Sequence, residues 1–148
     1  MKIGFDAKRA MQNHTGLGNY SRYVIEILSK YYPRDAYVLF CPKKKENRRL
    51  DAILTRENIS FVFPSGFFGK LLSALWRIWW VKNDIKREKI HIFHGLSNEL
   101  PLGIRHSGVQ SVVSIHDLIF LRYPQYYKPI DRFIYRLKFR YACRKADR

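Results

Sequence analysis

Short apolar runs alternate along this chain with segments whose apolar residues recur every three or four positions, a pattern that restricts it to strands interleaved with helices. Residues 3–5 form an apolar run that stops at Asp6, and a loop is expected from there to about Gly18. Tyr20, Tyr23, Val24, Ile27, Leu28 and Tyr31 then share one helical face that ends before Pro33. Residues 36–41 read as a second strand closed by Pro42, residues 43–49 as a basic surface connection, and residues 59–63 as a third strand stopped by Pro64. Helical character is expected over 67–86. Residues 90–93 and 111–115 are two further β-rich runs, each ending at a histidine. A last helix begins at Pro129, a residue suited to a first helical turn, and runs to about Lys145. Its face of Ile130, Phe133, Ile134, Leu137, Tyr141 and Ala142 is expected to pack. The expected fold is α/β and Rossmann-like, a mostly parallel sheet with helices on both faces, in one domain over residues 1–148.

Open parallel sheets bind ligands in the crevice beyond the carboxyl ends of their strands, so residues following Asp6, Phe93 and Ile115 become the candidates. The stretch His14, Thr15, Gly16, Leu17, Gly18, Asn19 and Tyr20 precedes a helix, where backbone N–H groups and the helix dipole suit a phosphate. It equally suits a plain turn, with Asn19 as the helix cap. Ser21 breaks the dinucleotide-binding pattern and no Walker lysine follows Gly18, which disfavours a nicotinamide cofactor and a P-loop. After the fifth strand come His116 and Asp117, an imidazole and a carboxylate able to exchange protons or bind hydroxyls, or simply to cap the strand end. His94, Ser97 and Asn98 follow the fourth strand in the same way, with loop packing as the plainer role for His94.

Charge narrows the partners: 28 Lys and Arg against 12 Asp and Glu give a net +16, which favours polyanions. The two cysteines, Cys41 and Cys143, have neither metal-ligand nor redox spacing and fit a reduced cytoplasm. On the helix over 67–86, Phe68, Leu71, Leu72, Leu75, Trp76 and Trp79 form one broad face, with Lys70, Ser73 and Arg77 opposite. That face is expected to pack on the sheet. The same aromatics beside Lys82, Lys86, Arg87 and Lys89 also suit a membrane interface.

Taken in order, residues 1–6, Thr15 to Tyr20, residues 92–95 with Leu100 and Pro101, and residues 113–118 resemble the N-terminal domain of family 4 glycosyltransferases, most closely bacterial mannosyltransferase-like members. The resemblance implies a GT-B arrangement of two Rossmann-like domains, a nucleotide-sugar donor, retention of anomeric configuration, and neither metal nor separate cofactor. It implies that Gly16, Leu17 and Gly18 approach the donor diphosphate, that His116 lies beside the transferred sugar with Asp117 as neighbour, and that Tyr20, His94, Ser97 and Asn98 contact the acceptor. It also implies that the donor-gripping residues belong to a C-terminal domain.

From this follow expectations about the whole protein. The chain is expected to be the truncated acceptor-side domain of an enzyme moving a hexose to a glycan or lipid-linked acceptor in surface polysaccharide synthesis, inactive alone. It would act in the cytoplasm, at the inner face of the cell membrane. An apolar strand is expected to follow Ala146 and Asp147, and its absence would leave a sheet edge open to self-association. The competing class is a nucleic-acid-binding module, which the charge suits but no recognisable motif supports.

Overall fold

A computed structural model describes residues 1–45, 47–65 and 71–148. Five strands, β1 (Lys2–Asp6), β2 (Ala36–Phe40), β3 (Ile59–Val62), β4 (Ile92–Gly95) and β5 (Gln110–Val113), form one sheet in the order β3-β2-β1-β4-β5. Every neighbouring pair is parallel, and β1 is central, bonded to both β2 and β4. The fold is therefore the expected Rossmann-like α/β sheet. Its strand order reverses between β1 and β4, which opens the crevice at the carboxyl ends of those two strands.

Each face of the sheet has its own core, and the two-residue period of the strands separates them. On one side Phe5, Tyr37, Leu39 and Cys41 meet Ile25 of α2 (Gly16–Tyr31), Met11 of α1 (Lys8–Gln12) and Ile53 of α3 (Asp51–Leu54). On the other, Val38, Phe40 and Phe93 meet Trp76, Val81, Ile85 and Ala142. Gly4 points to this second face, where a Cβ would press on the rings of Phe40 and Phe93, packed 5.8 Å apart between centroids.

Three local expectations change. Helix α1 occupies part of the expected first loop, because Ala10 and Met11 are apolar enough to bury one face of a short turn. Helix α2 starts at Gly16, so Gly16, Leu17 and Gly18 are its first turn and not a loop before it; Asn19 lies inside it and does not cap it. The strand β5 ends at Val113, which leaves Ser114, Ile115 and His116 on the connection beyond.

The larger change concerns the tryptophan-rich helix. Phe67, Phe68 and Lys70 lie outside the described residues. From there on, α4 (Ser73–Leu75) continues through a π-helical turn (Trp76–Trp80) into α5 (Val81–Arg87). The buried residues are Ser73, Trp76, Val81, Asp84 and Ile85, whereas Leu71, Leu72, Leu75, Trp79 and Trp80 are exposed. Most of the stripe expected to pack thus faces outward, and the polar side with Ser73 and Arg77 faces the sheet. The wider turn supplies the extra residue that lets Trp76 and Val81, five apart, enter the same core. The Trp76 indole donates to Asp84 Oδ2 at 2.6 Å, and Arg77 reaches the carboxylates described below.

The last helix, α7 (Pro129–Lys145), runs over the expected residues, after the short α6 (Ile119–Arg122). Its apolar face is mostly uncovered: Ala142 alone is buried, with Tyr141 partly so, while Ile130, Phe133, Ile134 and Leu137 are exposed. Beyond it the chain turns back to β5. Arg148 N donates to Ser111 O at 3.1 Å and Val113 N to Arg148 O at 3.0 Å, the alternation of a parallel ladder. No helix among the described residues is long and apolar enough to cross a membrane.

The cysteines differ in access. Cys41 is buried and its thiol pKa is raised, by burial first and then by Asp6, whereas Cys143 is exposed. Alkylation of the native chain should therefore modify Cys143 and spare Cys41, readable by mass spectrometry of tryptic peptides.

Candidate functional site

Strands β4 and β5 deliver their last residues to the crevice side by side, and the segments that follow lock together. Ser114 N donates to Gly95 O at 2.9 Å and Asn98 N to Ser114 O at 3.0 Å. Asn98 sits at φ 62°, a left-handed conformation that asparagine tolerates, and its Oδ1 accepts from His116 N at 2.8 Å. A Cβ on Gly95 would collide with the Glu99 backbone, so the tight reversal after β4 requires that glycine.

This lock fixes His116. Its Nε2 is 2.8 Å from the Leu96 carbonyl, which can only accept, so Nε2 carries the proton and Nδ1 is left as the lone-pair nitrogen of the neutral ring. Tyr20 from the first turns of α2 packs edge-on against the imidazole, with centroids 4.7 Å apart. The Tyr20 hydroxyl is 3.0 Å from Ser114 Oγ, which is 2.9 Å from His94 Nε2. A continuous chain of polar groups thus joins half-exposed Tyr20 to His94, whose ring lies against Phe5 and whose pKa is lowered by burial. Tyr20, His94, Asn98 and His116 converge. Ser97 is buried in the same loop. Asp117 does not join them: its Oδ1 accepts from Ile119 N at 3.1 Å, a bond to local backbone of the kind its plainer reading expects.

The glycine turn opens the same helix that carries Tyr20. Asn13, not Asn19, serves the start of α2: Asn13 Oδ1 accepts from Thr15 N at 2.8 Å and from Gly18 N at 3.3 Å. The two glycines have different jobs. A Cβ on Gly18 would overlap the Asn13 carbonyl, whereas one on Gly16 meets nothing within 4 Å. Gly18 therefore serves packing, and Gly16 stands at open space. Leu17 is half-buried, and its carbonyl accepts from Ser21 Oγ at 2.7 Å. Nearby, Arg22 is buried, donating to Ala10 O, Asn13 O and Asn19 Oδ1, and its pKa is lowered by burial and by Arg49.

At the end of β1, on the face of the sheet that carries Phe40, Trp76 and Phe93, lies an ion network. Arg77 grips Asp6 through Nε at 2.9 Å and one terminal nitrogen at 2.6 Å, and its other terminal nitrogen lies 2.6 Å from Glu99. Lys138 of α7 holds the second Glu99 oxygen at 3.0 Å. Burial works to raise the Glu99 pKa, but Arg77 and Lys138 outweigh it and hold the carboxyl below its ordinary value. The two carboxylates are thus committed to cations and are not an acid–base pair. Among the described residues no group of three His, Cys, Asp or Glu could hold a metal ion.

Ser114, Asn13, Arg77 and Glu99 are the structural participants that sequence reasoning did not assign. Ser114 stands in the quoted motif and Glu99 follows Asn98, so both were within reach; nothing local marks Arg77, whose partners are distant in sequence. No family model matches the chain, and no curated protein or solved structure matches it either.

Proposed function

We propose that this chain is the acceptor-side domain of a retaining glycosyltransferase, passing a hexose from a nucleotide-sugar to a glycan or lipid-linked acceptor in surface polysaccharide synthesis. The observation that carries the reading is His116. It is held by three neighbours at the carboxyl ends of the strands, with Nε2 spent on Leu96 and Nδ1 available to a hydroxyl. A sugar hydroxyl donating to Nδ1 would be oriented without any movement of the ring, which is positioning of the kind that lowers a transfer barrier. Gly16 supports the donor side, since a helix start with open space before it lets a diphosphate approach backbone N–H groups and gather its departing charge there. The hydroxyls of Tyr20 and Ser114 are adjacent polar contacts for an acceptor.

On this reading the chain alone binds sugars and turns none over. The test is ligand titration followed by NMR on the whole chain, with nucleotide-sugars, free nucleotides and oligosaccharides as separate probes. Shifts confined to His116, Tyr20 and Ser114 on adding glycan, lost in His116→Ala with the fold intact by circular dichroism, are the expected result. Glycan and nucleotide-sugar both leaving these signals unmoved while an oligonucleotide shifts them would replace the proposal with nucleic-acid binding.

A further inference from the structure

We propose that His94 is a positioning residue that decides, through Ser114, whether Tyr20 offers the crevice a hydrogen-bond acceptor or a donor. Ser114 Oγ stands between the two, 2.9 Å from His94 Nε2 and 3.0 Å from the Tyr20 hydroxyl. It has no other partner among the described residues, so its single proton points to one or to the other. When Nε2 carries no proton, Ser114 donates to it and accepts from Tyr20, whose lone pairs then face the crevice. When Nε2 is protonated, His94 donates to Ser114, Ser114 donates to the Tyr20 oxygen, and the Tyr20 proton turns outward. Each hydroxyl keeps one proton throughout, and only the direction of the chain reverses. The neutral ring is assigned its proton at Nδ1.

The surroundings leave this control to His94 alone. Its ring lies against Phe5 of β1, with centroids 5.9 Å apart, and its neighbour on β5 is Val112, so neither strand sets a charge beside it. Asp6, next to Phe5, is held by Arg77 on the opposite face of the sheet. From α2 the titratable group that reaches His94 is Tyr20, and against Tyr20 packs the His116 ring. Burial is what lowers the His94 pKa, so the ring is neutral at pH 7 and takes up a proton only below the ordinary histidine value of 6.5. Tyr20, 38% exposed, is the end of the chain that a ligand meets. With His94 neutral it accepts from a ligand hydroxyl and turns lone pairs toward a carboxylate; with His94 protonated it donates to the carboxylate. The preference for a ligand rests on the sugar-binding reading, whereas the chain of hydroxyls is a property of the protein by itself.

An NMR titration of the whole chain without ligand, from about pH 8 to pH 4, tests the chain of hydroxyls through the His94 ring nitrogens and Tyr20 Cζ. Expected are a proton at Nδ1 of the neutral His94 ring and a Tyr20 signal that moves in step with His94, besides any step it takes from His116. Ser114→Ala keeps the backbone bonds of Ser114 to Gly95 and Asn98 and should remove the His94 step alone. A neutral ring protonated at Nε2, a His94 that takes up no proton in this range, or a His94 step that is absent from native Tyr20 or persists in Ser114→Ala would overturn the proposal. The second measurement compares a neutral oligosaccharide with one bearing a uronate. Protonating His94 should shift their affinity ratio toward the uronate by about tenfold, the size of one hydrogen bond to a charged group, and not in Ser114→Ala. An unchanged ratio would also overturn it; if neither saccharide binds, the sugar-binding reading fails while the ligand-free titration still decides the role of His94.

Discussion

Arg77→Met should destabilise the domain by about 3–5 kcal/mol, because removing one partner of a buried ion pair leaves the other charge uncompensated. The Arg77 side chain is 12% exposed and Asp6 7%, so water cannot take over the lost contacts. Arg77→Lys should recover only part of the loss, since an ammonium cannot reproduce the fork that holds Asp6 and reaches Glu99 together. Urea unfolding monitored by tryptophan emission reads both variants; a loss below about 1 kcal/mol for Arg77→Met would mean the network is solvated in solution.

The same network sets a direction with pH. The Glu99 carboxyl is depressed in the folded state, so its contribution is present above the ordinary glutamate value of 4.5 and is lost as the pH falls through the lower folded one. Stability should therefore fall with acidification over that range, and Glu99→Gln should flatten that part of the profile. The gap between the native chain and Arg77→Met should narrow there too, because protonating Glu99 removes part of the charge that Arg77 compensates.

The second large effect separates two glycines that look alike in sequence. Gly18→Ala should cost about 3 kcal/mol, the upper end of what inserting a methyl into a packed site costs, because the obstacle is the Asn13 backbone and not a flexible side chain. Asn13 cannot withdraw freely, since its Oδ1 serves the start of α2 and its carbonyl accepts from Arg22. Gly16→Ala, with nothing within 4 Å, should be neutral or stabilising by up to about 1 kcal/mol. Thermal unfolding of the two variants compares them directly. If Gly16→Ala keeps its stability yet weakens nucleotide-sugar binding, the open space before α2 is a ligand approach; unchanged binding would leave both glycines with structural roles only.

Much of the architecture was legible. Five apolar runs became the five strands within one or two residues, and α7 begins at Pro129 and ends at Lys145 as its pattern and its proline indicated. Of the candidate residues, Tyr20, His94, Asn98 and His116 meet because they follow or face the carboxyl ends of adjacent strands, which strand–helix alternation already implies. Asp117 shows the limit of that logic: adjacency to His116 could not say whether its carboxylate turns to the ring or to the next helix, and the nearby Ile119 N–H decides it.

What the sequence determined by itself is the parallel sheet with a crevice that His94 and His116 reach, since strand and helix periods are local properties of neighbouring residues. What only the tertiary structure decided is which side of each amphipathic helix is inside. Periodicity identifies two faces but not which one meets the sheet, and here two carboxylates, buried Asp6 and partly buried Glu99, draw Arg77 inward. That choice turns Leu71, Leu75 and Trp79 outward. An ion pair made across the fold thereby overrides the apolar pattern written along one helix.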